Sequence, residues 1–127
     1  MKGVEINKLV KVMENEKGMT FQFENRPSDK ILFAKRKVGT VSGVHYHTGK
    51  SNMKNPEILV FLSGKIEIYF KDLKTSEEMR AVVDYPVMIK ISPNIYHEVK
   101  ALTDIIFLDM NSLEEGEKDT IKGLPNI

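Results

Sequence analysis

Cysteine is absent from the 127 residues, which excludes disulfides, thiolate metal ligands and cysteine nucleophiles. A surplus of either charge is absent too: 19 Lys and Arg face 18 Asp and Glu, a net charge of +1. Phosphate contacts supply most nucleic-acid affinity, so a chain without a basic stripe is not expected to bind nucleic acid. The short cluster Lys35-Arg36-Lys37 reads as a solvated strand face. No apolar run approaches a membrane span, the longest centring on Ile58–Leu62, and Met1–Glu5 opens no signal region. There is also no sustained helical period, internal repeat or low-complexity tract. With 41% hydrophobic and 29% charged residues, the expectation is a single soluble, cytoplasmic domain.

Strand signals fill that space. Ile31–Ala34, Ile58–Leu62, Val87–Ile91 and Ile105–Leu108 are short apolar runs of the kind buried in sheets. Lys65–Phe70 alternates, which puts Ile66, Ile68 and Phe70 on one face and Lys65, Glu67 and Tyr69 on the other. Turn signals punctuate the series at Ser63-Gly64, Asp84-Tyr85-Pro86, Ser92-Pro93-Asn94 and Thr103-Asp104. Many short strands at fairly regular spacing predict an all-β sandwich or barrel over residues 1–110. Thr48–Asn55 reads as a polar surface loop. Residues 111–127 read as an arm, irregular or with one short helix, because Gly116 and Gly123 interrupt any helical pattern.

The chain holds three histidines, His45, His47 and His97. His45 and His47 lie two apart on an expected strand and therefore share a face. Glu57 opens the next strand and His97 follows the Ser92-Pro93-Asn94 turn. A barrel can gather these four side chains at one end of its interior, where they would suit Zn, Ni, Mn or Fe(II). The same residues could also line a barrel without chemistry. Tyr46, Tyr69 and Tyr96 are candidate phenolic acids, although packing is the simpler role for each.

Gly43-Val44-His45-Tyr46-His47, then Glu57 and Gly64, resembles the first motif of the cupin superfamily, and Ser92–His97 resembles its second. Asn94 stands where the family usually has glycine, and Asn tolerates the left-handed conformation such a turn can require. Nine residues separate His47 from Glu57, more than is usual in the family, and Ala101 replaces an asparagine often found after the last histidine. From about Leu9 to Met110, with the opening Asn15-Glu16-Lys17-Gly18, the chain is similar to nucleotide-sugar cupins. These are the dTDP-4-dehydrorhamnose 3,5-epimerase-like proteins and dTDP-sugar 3,4-ketoisomerases; the ketoisomerases resemble it better because they carry both histidines. Ser42 occupies the place of an arginine common in those proteins, and Arg36, Arg26 or Lys35 could substitute for it.

The resemblance implies a single-domain cupin (jelly-roll) β-barrel, a homodimer, and an isomerase or epimerase of a nucleotide-linked keto sugar in carbohydrate biosynthesis. It implies catalytic roles for His45, His47 and Tyr96, substrate contacts from Arg36, Tyr46 and Tyr69, and no required cofactor. Two other functions stand beside it: a mononuclear metal cupin with His45, His47, Glu57 and His97 as ligands, and a non-catalytic sugar-binding cupin.

Overall fold

The structure, a computed structural model, describes residues 1–125; positions 126 and 127 of the expected arm lie outside the described residues. Along the chain run β1 (Val4–Lys8), β2 (Val10–Asn15), β3 (Gly18–Gln22), β4 (Leu32–Arg36), β5 (Val41–Tyr46) and β6 (Glu57–Ser63). They continue as β7 (Lys65–Asp72), β8 (Glu78–Asp84), β9 (Val87–Ile91), β10 (Ile95–Ala101) and β11 (Ile105–Asp109). A helix α1 (Leu113–Lys118) and a final short strand β12 (Ile121–Lys122) follow. The helix runs through Gly116, so that glycine does not interrupt it; Ser112 caps the start by accepting a hydrogen bond from the Glu115 amide.

The strands form two five-stranded sheets and one separate hairpin. The first sheet has the order β1-β9-β6-β11-β4, the second β12-β5-β10-β7-β8, and β2 pairs with β3. Among the described residues every ladder is antiparallel. The two large sheets pack face to face in the expected all-β, jelly-roll manner.

The alternation of β7 is realised, with Ile66, Ile68 and Phe70 buried and Lys65 exposed. These three join Phe61, Ile89, Ile91, Val99 and Phe107 in the core between the sheets. Complete burial of each such side chain contributes about 1.5–3 kcal/mol. The unbroken apolar run of β6 has a different cause. Leu59 and Phe61 face this core, whereas Ile58 and Val60 pack on the opposite side with Met88, Met110, Leu9 and Phe23. A strand covered on both faces needs no polar alternation.

One tight turn depends on glycine. Gly64, between β6 and β7, has φ +93°, and a Cβ there would lie 2.3 Å from the Asp104 carbonyl oxygen. The Ser92-Pro93-Asn94 turn takes the left-handed conformation at Asn94, φ +63°. No helix among the described residues is long and apolar enough to cross a membrane.

Candidate active site

β5 and β10 are neighbours in the second sheet, and their register sets His45 directly opposite His97. One position further down β5 the register slips: Gly43 pairs with Glu98 and Val44 is left over as a bulge. Gly43 and Val44 both have positive φ, +84° and +57°. A Cβ on Gly43 would come within 2.9 Å of the His97 carbonyl oxygen. The extra residue lets Ser42, opposite the core residue Val99, share the inward face with His45 although the two lie an odd number of positions apart.

The three imidazoles converge. Ring centroids are 4.8 Å apart for His45 and His47, 4.7 Å for His45 and His97, and 5.5 Å for His47 and His97. Backbone carbonyls fix two of the rings: His47 Nδ1 donates to the Asp119 carbonyl at 2.6 Å, and His97 Nδ1 to the Ile95 carbonyl at 3.1 Å. Each of these rings therefore keeps its lone pair on Nε2. Burial, reinforced by the Lys54 charge, lowers the pKa of His45 and of His47 to about 4. Burial and the nearby His45 hold His97 well below the usual imidazole range. At neutral pH all three are uncharged proton acceptors.

Beside the rings lies a buried charged group. The loop after His47 folds into one 3₁₀ turn (Asn52–Lys54), with Ser51 Oγ accepting from the Met53 amide. Arg26 braces the turn by donating to the carbonyls of Met53 and Pro56. The turn directs Lys54, only 4% exposed, inward. Its ammonium lies 2.6 Å from Glu57 Oε2 and 3.9 Å from Asp109 Oδ2; His47 Nε2 is 3.4 Å from the same Glu57 oxygen. Asn111 donates to Asp109 from the other side. Burial foremost, then the neighbouring Asp109, pushes the Glu57 carboxyl well above the ordinary carboxylate range, against the pull of Lys54.

The segment after Met110 closes the group. The buried Asp119 carboxylate accepts hydrogen bonds from the Thr48 amide (2.8 Å), Thr48 hydroxyl (2.7 Å), Gly49 amide (3.0 Å) and Ser51 amide (3.1 Å). Its own carbonyl holds His47, and β12 adds itself to β5 with Lys122 opposite His45. The arm is thus part of the site's wall.

The other expected residues are distributed unevenly. A cavity of about 140 Å³ between the sheets is lined by His45, His97, Glu57, Ser42, Phe107 and Arg36. Arg36 donates to Ser42 Oγ (3.1 Å) and lies over the Phe107 ring. Lys35 is exposed, and Arg26 is committed to the loop. The tyrosines do not join the histidines. Tyr96 alternates with His97 along β10 and so lies on the opposite strand face, itself buried, its hydroxyl donating to Glu98 at 2.7 Å. Tyr69 lies on the same outer face, donating to Glu78 beneath Arg80, and Tyr46 alternates outward between His45 and His47. Strand alternation places Tyr96, Tyr69 and Tyr46 on the face away from the cavity, and none of them lines it. Conversely, Lys54, Asp109, Asn111 and Asp119 were not anticipated. Only Lys54 left a trace in the sequence, a cation three residues before Glu57.

A divalent metal can be tested against this donor set. The histidine nitrogens lie within 4.8 Å of one another, and carbonyl-held imidazoles suit metal ligation. The carboxylate does not fit, because the Lys54 ammonium already occupies Glu57 and adds positive charge beside every ring. The four-donor set therefore does not fit a divalent ion.

No protein-family model matches the sequence, and no curated protein is significantly similar to it. Solved structures are similar in fold. A sugar 3,4-ketoisomerase from Thermoanaerobacterium thermosaccharolyticum, in complex with TDP, superposes with a TM-score of 0.74 at 17% identity, covering 97% of this chain and 90% of the other. A variant of that enzyme in complex with TDP-4-keto-6-deoxyglucose gives 0.75 at 16% identity, covering 97% and 89%. The dTDP-4-dehydrorhamnose 3,5-epimerase from Sulfolobus tokodaii gives 0.68 at 16% identity, covering 99% and 74%. The chain has the cupin fold. Within that fold its likeness is to proteins described as sugar-nucleotide isomerases and epimerases.

Proposed function

We propose that this protein is an isomerase or epimerase of a nucleotide-linked keto sugar in carbohydrate biosynthesis, working by histidine acid–base chemistry without a metal. The observation that carries this reading is the cluster of uncharged, carbonyl-oriented imidazoles beside a cavity that Arg36 also lines. The fold likeness to enzymes complexed with TDP and TDP-4-keto-6-deoxyglucose supports the substrate class.

A carbonyl acidifies the adjacent C–H, and His45, the least buried of the three rings, is the base that removes that proton. The electron pair moves to the carbonyl oxygen and leaves an enolate. Returning the proton to the same carbon from the opposite face inverts it. Alternatively, the neighbouring hydroxyl proton passes to the enolate oxygen and a proton is delivered to the former carbonyl carbon, which moves the carbonyl one position. His47 Nε2 rests unprotonated, so it serves in proton return by taking on the proton that His45 removes, across rings whose centroids lie 4.8 Å apart. Arg36 is the cation available to the diphosphate, in place of the arginine that Ser42 replaces. We further infer a homodimer, supported by the exposed apolar side chains Val10, Val12, Met13 and Met19 on the projecting β2–β3 hairpin. A cytoplasmic location belongs to the same proposal.

The test is exchange of the carbon-bound hydrogen in deuterated water, followed by NMR on dTDP- and UDP-linked 4-keto sugars. Exchange is expected in wild type, to survive chelator, and to fall about a hundred- to ten-thousand-fold in His45→Asn. Absence of exchange with every sugar in the panel would make a binding role the better reading.

A further inference from the structure

We propose that Lys54 is the resident cation of this site: its ammonium takes the position beside Glu57 that a divalent metal would need, and keeps the three imidazoles free of metal. Lysine is almost never fully buried unless paired, and here the pairing is specific, 2.6 Å to Glu57 and 3.9 Å to Asp109. The Glu57 oxygen that meets Lys54 is the one that faces His47 Nε2. A metal joining these two donors would have to share that oxygen with an ammonium 2.6 Å away.

The surrounding structure is built to hold the cation there. The Ser51-capped turn carries it, Arg26 ties down the carbonyls on either side, and α1 covers it with Gly116, where a Cβ would lie 3.9 Å from Nζ. The stretch between His47 and Glu57 that is long for the resemblance is the stretch that delivers this lysine. Charge points the same way. Glu57 and Asp109 are opposed by Lys54, with Arg26 close enough to feel both carboxylates. A divalent ion would add two positive charges beside Lys54 and Arg26, in a medium where charges interact strongly.

The inference stands or falls independently of turnover, because its readout is metal binding. Wild type and Lys54→Met, both dialysed against chelator, are titrated with cobalt(II) chloride by calorimetry and followed by visible absorption. Lys54→Met is expected to bind one ion per chain about tenfold or more tighter than wild type, and Lys54→Met/His97→Ala to lose that gain. Should Lys54→Met strand the Glu57 charge and fail to fold, Lys54→Met/Glu57→Gln removes both charges and is likewise expected to bind more tightly than wild type through the imidazoles. Cobalt binding by wild type as tight as by the folded variant would overturn the proposal.

Discussion

Replacing Asp119 by alanine probes how the late segment supports the site. The carboxylate accepts four hydrogen bonds, at 2.7–3.1 Å, from three consecutive parts of the loop. Thr48 is exposed and its donors can turn to water, but Ser51 is buried and Gly49 half-buried. Each buried donor left without a partner costs about 1–3 kcal/mol, so the two together amount to about 2–4 kcal/mol after some water entry. That is a large share of the roughly 5–15 kcal/mol that holds a domain together. At roughly 4 °C per kcal/mol for this size, the melting temperature should fall by about 8–16 °C. Asp119→Asn keeps one accepting oxygen and should fall in between.

The carboxylate pKa lies below the ordinary value because the Thr48, Ser51 and Gly49 donors together outweigh burial, which alone would raise it. A lowered carboxylate stabilises above its unfolded pKa of about 3.9 and ceases to do so as pH falls through the folded value. The difference between wild type and variant should therefore be constant from pH 6 to 8 in calorimetry. The same variants should blur the His47 tautomer in long-range ¹H–¹⁵N spectra, since the Asp119 carbonyl holds Nδ1–H. A melting temperature within 2 °C of wild type, with His47 signals unchanged, would refute the argument, the threshold being about 0.5 kcal/mol.

Two further outcomes are expected. His45 and His47 titrate near 6.5 when unfolded but at about 4 when folded, and burial holds His97 well below its unfolded value. From His45 and His47 alone the unfolded chain binds nearly two more protons near pH 5.5, so the stability they contribute, fully present only well above pH 6.5, should drop by about 2.4 kcal/mol per pH unit on acidification. A urea midpoint unchanged from pH 7 to 5 would contradict this. Gly43→Ala adds a clash with the His97 carbonyl to the left-handed strain, whereas Gly39→Ala, φ +86° with no heavy atom near its Cβ, adds the strain alone. The latter should cost about 1–2 kcal/mol and the former clearly more in urea titrations; equal costs would remove the packing argument.

How legible all this was depended on which residues carry the signal. Strands with two buried faces or clean alternation, β6, β7, β9 and β11, could be read because burial dictates their composition. β2 and β3 could not, because their side chains are nearly all exposed and no face is selected. His45 and His47 were readable from their spacing on a strand together with the motif resemblance, and His97 from the resemblance and the turn before it. Period two alone separates Tyr96 from His97 and Tyr46 from His45, so the strand face of these tyrosines was readable as well. Lys54 and Asp119 were beyond reach for another reason. Each acts from an irregular segment whose contacts run to residues distant in sequence, and local pattern does not encode such contacts.

The Asp119 carbonyl reaches back 72 positions to His47, and the Gly123 amide reaches back to the Val44 carbonyl. During synthesis at about 5–20 residues per second, His47 leaves the ribosome about 4–14 s before its partner does. Every strand of the two sheets except β12 has been made by then. The strands before Asp119 are thus made while the ring of His47 still lacks the carbonyl that sets its tautomer, and the segment around Asp119 supplies it later. A product ending before Asp119 would lack the carbonyl that orients His47.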